Sequence, residues 1–145
     1  METNFKVTGQ VKATLLDENG IVKYEYEGPN LVVSAGLTFI ASRMTGTAAN
    51  VMSHMAVGSG STSPSSGQTT LVSELGRVAL SSSTSSSNQV TYSATFGAGV
   101  GTGTIAEAGI FNAASAGTML ARTTSISVTK GASDTLIVTW TVSVN

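Results

Sequence analysis

Along much of this chain apolar and polar residues alternate with period two, the pattern of strands with one face buried. It is clearest at residues 136–144, where Leu136, Val138, Trp140, Val142 and Val144 share one face and Ile137, Thr139, Thr141 and Ser143 the other. Residues 89–96 repeat it with Val90, Tyr92, Ala94 and Phe96 inward, and residues 5–15 with Phe5, Val7, Val11, Ala13 and Leu15. Asp17-Glu18-Asn19-Gly20 predicts a hairpin turn, because Asn and Gly accept positive φ. The turn returns the chain into residues 21–27, where Val22, Tyr24 and Tyr26 share a face. Further strands are expected at residues 51–58, 77–82, 105–112 and 119–129, the last bent near Thr124.

The period changes once. Val33, Leu37, Ile40, Ala41 and Met44 fall at helical spacing and predict one short helix near residues 34–44, its apolar stripe covering an open face or end of the sheet. Ser34 is the expected N-cap and Gly46 the stop, while Gly36 weakens the first turn by about 1 kcal/mol relative to Ala. Leu71, Leu75 and Val78 predict a short helical turn, residues 60–67 an exposed loop, and the Ser/Thr run at residues 81–87 a hairpin turn. The fold class expected is mainly all-β: one domain spanning residues 1–145, an antiparallel β-sandwich or jelly roll of about eight strands with one short helix.

Composition narrows the functions open to such a sandwich. Charged residues make up 10% of the chain, against roughly 25% in ordinary soluble proteins, so its surface is largely hydroxyl and backbone. The net charge is −1 with seven basic residues scattered along the sequence. No basic patch exists to release counterions from a phosphate backbone, and nucleic acid is not an expected partner. With no cysteine, disulfides and thiolate metal sites are excluded. No apolar run reaches the ~18 residues of a membrane span, and the polar start lacks a signal-peptide pattern, so a soluble protein is expected.

The candidate chemistry is sparse. His54 is the lone histidine, which leaves no multi-histidine metal site and favours a structural or interface role. No G-x-S-x-G elbow accompanies the many serines. The Gly-rich run at residues 97–103 has neither the Lys-Ser/Thr ending of a P-loop nor dinucleotide spacing, so it reads as a hairpin or a close backbone contact. Nothing in the sequence places Glu74 and Glu107 at a glycosidase separation. Glu107 still needs a reason to stand in the apolar run at residues 104–112, and an arginine supplies one. Arg122 or Arg77, each beside apolar residues, is expected to pair with it and fix a strand register.

Four segments in fixed order carry a resemblance: Ala56-Val57-Gly58-Ser59-Gly60-Ser61-Thr62-Ser63-Pro64, Thr70-Leu71 with Glu74-Leu75 and Arg77-Val78, Glu107-Ala108-Gly109-Ile110-Phe111-Asn112, and Met119-Leu120-Ala121-Arg122-Thr123. Together they resemble small virion proteins of tailed bacteriophages, some of them capsid cement (decoration) proteins and others tail-fibre or collar modules. The resemblance covers residues 51–144 and implies a structural role without catalysis, cofactor or metal. Because the sequence stops directly after a strand, a stand-alone cement protein is expected. It would be a homotrimer made in the host cytoplasm that binds the outer surface of the head and bridges subunits of the major capsid protein. The alternative is a tail-fibre, collar or baseplate adaptor of the same fold. A more remote one is a carbohydrate-binding module stacking sugars on Trp140, Tyr24, Tyr26 and Tyr92. Partner contacts are expected in irregular or terminal segments, at Phe5, at Ser61, Thr62, Ser63 and Pro64, and at Gly99 and Gly101.

Overall fold

The two most regular alternating segments, β1 (Val7–Leu16) and β12 (Thr135–Val144), lie side by side and antiparallel in the computed structural model, which describes residues 6–46 and 49–145. Their ladder runs from Val7 opposite Val144 to Leu16 opposite Thr135 without a slip. The Asp17 carboxylate closes the first turn by accepting from the Asn19 and Ile21 N–H groups, 2.8 and 2.9 Å away, and Gly20 takes φ 79°. Beyond it β2 (Val22–Pro29) returns along β1. On the far side of β12 lie β7 (Gln89–Phe96) and then β6 (Ser82–Ser86), giving a first sheet ordered β2-β1-β12-β7-β6.

The second sheet runs β3-β10-β9-β4-β5, built from β3 (Leu31–Val32), β10 (Met119–Thr123), β9 (Glu107–Phe111), β4 (His54–Gly58) and β5 (Glu74–Ala79). A two-stranded ribbon pairs β8 (Gly103–Ile105) with β11 (Val128–Lys130). Between the sheets Val11, Ala13, Leu15, Phe96, Leu136, Val138 and Trp140 meet Met55, Val57, Ala108, Ile110 and Ala121. Each large side chain fully removed from water there contributes about 1.5–3 kcal/mol. The second sheet is covered on its outer face as well. Every residue of β9 and β10 is buried, and Val33, Ala56, Leu71, Phe111 and Met119 form a second apolar cluster.

The architecture is the expected mainly antiparallel β-sandwich with one short helix, but its elements are shorter and more numerous, twelve strands among the described residues. The segment at residues 105–112 breaks at Ala106, whose N–H donates to the Gly58 carbonyl at 2.8 Å. The segment at residues 119–129 bends into β10 and β11, and the strand expected at residues 51–58 shortens to β4. No helical turn forms around Leu71: its side chain is buried in the outer cluster, and Leu75 and Val78 belong to β5, which starts earlier than expected. The Ser/Thr run is an edge strand rather than a turn, since hydroxyl side chains need no second sheet to cover them. Its turn is at Ser87, with φ 55°.

Helix α1 (Ser34–Arg43) differs from expectation in both cap and facing. Val33 holds the cap position without a side-chain cap, and the Ser34 N–H donates instead to the Ser66 carbonyl at 2.8 Å. The predicted stripe splits: Val33 is buried and Ile40 packs on the core, but Ala41 is exposed and Leu37 and Met44 are 47% and 87% exposed, while Gly36 and Phe39, outside the stripe, turn inward. A Cβ at Gly36 would meet the Leu120 carbonyl. The absence of a side chain there lets helix backbone lie on strand backbone, and that contact sets the rotation of the helix. Among the described residues no helix is long and apolar enough to cross a membrane.

Candidate functional site

Glu107 opens β9 and Arg122 lies in β10, with both side chains on the outer face of the second sheet. Both residues are fully buried. Pairing of Arg122 with Gly109 brings the guanidinium alongside Glu107 across a position that has no side chain to intervene. Arg122 Nε and Nη2 donate to Glu107 Oε1 at 3.0 and 2.9 Å. The same oxygen accepts from the Val72 N–H at 2.9 Å, and Oε2 accepts from the N–H groups of Gly60 and Ser73 at 2.8 and 2.7 Å. Arg122 Nη1 turns outward to the Thr62 carbonyl at 2.8 Å and Gln68 Oε1 at 3.1 Å. The pair therefore clips down the segment at residues 59–73, which Leu71 also pins to the apolar cluster. Gly58 and Gly60 make room for the carboxylate, because a Cβ on either would touch Glu107 Oε2.

Burial alone pushes the Glu107 carboxyl up. The Val72 and Ser73 N–H groups, Arg122 and Gly60 together outweigh it, so the net shift is below the ordinary 4.5. A carboxyl with a lowered folded pKa stabilises the protein above its unfolded value and loses that contribution as pH falls through the folded value. Asp134 adds to the trend, its carboxyl lowered first by the hydrogen bond from Lys23 and then by the Gly131 N–H. The urea midpoint is therefore expected to hold down to about pH 5 and to fall below it. A midpoint unchanged at about pH 3 would be incompatible with this carboxylate arrangement.

Arg77 engages Glu74 rather than Glu107. Nη2 and Nε donate to Glu74 Oε1 and Oε2 at 2.7 and 3.3 Å. The guanidinium carbon lies 3.8 Å from the centroid of the Phe111 ring, a cation–π geometry. Nη1 donates to the Ala113 and Ala116 carbonyls at 3.0 and 2.9 Å. Arg77 thus secures the turn after β9, where Ala116 takes φ 51°.

The segments expected to meet a partner differ in what they present. Ser61, Thr62 and Ser63 are exposed and Pro64 half-buried, on a backbone held by Glu107 and Arg122. In the Gly-rich run Gly99 is exposed, but Gly101 is buried, in a positive-φ conformation against Val57. Phe5 lies outside the described residues. Trp140 and Tyr92 are core residues and offer no ring face to a sugar. His54 Nδ1 lies 2.8 Å from Ser53 Oγ, and among the described residues no cluster of His, Asp and Glu has metal-binding geometry.

Two parts of the polar framework went unrecognised in the sequence. Gln68 links Arg122 to the loop, accepting from the Ser65 N–H and donating to the Ser63 carbonyl. Lys130, fully buried, donates to the Gly97 carbonyl at 2.8 Å, and Asp134 holds Lys23 at 2.9 Å. Burial lowers the Lys130 pKa, with Asp134 opposing the shift. The signal for this cluster is the turn Lys130-Gly131-Ala132-Ser133-Asp134, where opposite charges flank a glycine whose N–H caps the carboxylate at 2.7 Å.

Comparison with known proteins places this geometry in context. The profile of the phage tail-collar fibre protein family, N-terminal region, matches residues 29–144. That span includes β3 to β12, the helix and every residue of the clip. The same comparison made with curated proteins and with solved structures found no match.

Proposed function

We propose, from the premise that this chain belongs to the phage tail-collar fibre protein family, a family of structural virion proteins, that it is an adaptor module seating a fibre on the tail or collar. The observation that carries this reading is the family match over residues 29–144. It favours the tail alternative over the capsid cement role expected from the sequence. The reading assigns the chain a binding role without a catalytic step.

The fold suits an adaptor. The clip fixes the backbone beneath Ser61, Thr62 and Ser63, so a partner meeting that loop has little ordering entropy left to overcome. Its uncharged hydroxyl surface is also cheap to desolvate compared with a charged one. Gold-labelled antibody against the chain, applied to intact particles and viewed by electron microscopy, is expected to mark the tail or collar. Label spread over the head lattice would overturn the proposal in favour of the cement role.

A further inference from the structure

The two five-stranded sheets have four edges, and three of them carry devices that discourage a further strand. Edge β2 bears Lys23, Glu25, Glu27 and Pro29, and its register against β1 shifts between Leu15 and Leu16. Edge β5 carries Glu74 and Arg77, and the ladder that joins it to β4 shifts between Val57 and Gly58. Edge β3 is two residues long and runs straight into the helix. Edge β6 has none of these. It is Ser82-Ser83-Thr84-Ser85-Ser86, every residue exposed, with no charge, no proline and no register shift along β7.

The geometry points to β6 as the edge on which a second copy of this chain adds, antiparallel and across a two-fold axis, continuing the first sheet from one molecule into the next. An isologous contact sets an edge against itself, so a central charge meets its own copy. On β2 that would oppose Glu25 to Glu25. On β6 a two-fold at Thr84 opposes Thr84 to Thr84 and Ser82 to Ser86, pairs that hydroxyl side chains accommodate. The flanking Asn88, Gln89, Ser143 and Asn145 have uncharged side chains as well, and hydrogen bonds among these residues and Val144 hold this corner together. A contact of one short strand buries less than the ~1,000 Å² typical of a stable interface. The association is therefore weak and concentration-dependent in solution, and local concentration in a particle multiplies it.

Sedimentation velocity on the full chain over a concentration series tests this without reference to where in the particle the protein sits. The expected result is a weight-average mass that climbs toward twice the monomer mass, with amide exchange in residues 82–86 slowing as concentration rises. The double variant Ser83→Lys, Ser85→Lys is expected to stay monomeric with an unchanged melting temperature, since both positions are exposed. A wild-type chain that stays monomeric, a lysine variant that still dimerises, or a trimer indifferent to the lysines would each overturn the inference. A monomeric wild type whose lysine variant fails to enter particles would assign the edge to another protein's strand, and would overturn it too.

Discussion

Replacing Glu107 with Gln is expected to lower the unfolding free energy by about 3–5 kcal/mol, the cost of stranding one member of a buried ion pair. The amide nearly matches the carboxylate in shape but supplies only one acceptor oxygen. Its NH2 must then face either the Gly60 and Ser73 N–H groups or Arg122 and the Val72 N–H, setting donor against donor. Arg122 loses its counter-charge in a fully buried site. For a chain of this size the loss corresponds to a fall in melting temperature of roughly 10 °C or more. Removing both partners, as Glu107→Leu with Arg122→Met, is expected to cost less than Glu107→Gln alone, because no unpaired charge remains. Thermal melts of the three proteins decide it. A Glu107→Gln chain that melts with the wild type would remove the clip from the account of stability.

Gly36→Ala reverses an ordinary expectation. In a helix interior the change normally gains about 1 kcal/mol. Here the new Cβ would meet the Leu120 carbonyl, backbone of β10 that cannot rotate away. The helix must lift off the sheet, loosening Phe39 and Ile40 from the core, with an expected net loss of about 1–3 kcal/mol, the range for overpacking. Urea titration measures it, and a stabilised Gly36→Ala variant would show that helix and strand are not in the contact described.

These two sites show where sequence pattern was informative and where it stopped. The facing of β1, β7 and β12 was legible because a half-buried strand writes its burial into alternate residues, and Trp140, Val138 and Phe96 are in the core as the pattern required. The helix was legible as a helix but not in its rotation. Its apolar residues allow more than one inward face, and the deciding contact is made by Gly36, which has no side chain to read. The reason for a carboxylate at position 107 was legible only as a choice between two arginines, since the register of β9 against β10 depends on strand pairing far along the chain. Three of its five hydrogen bonds come from backbone N–H groups of Gly60, Val72 and Ser73. Backbone donors carry no residue identity, so no motif announced them.

The place of β12 between β1 and β7 has a consequence for how the protein is made. On the ribosome, the β1-β2 hairpin and the β6-β7 hairpin can each close early, yet neither can join the other until β12, the last strand of the sandwich in chain order, leaves the exit tunnel. Until then each hairpin shows an open inner edge, the one along which Trp140 will pair with Val11 on one side and with Tyr92 on the other. Assembly of the first sheet is thus a late event governed by long-range pairing, the slow kind of folding.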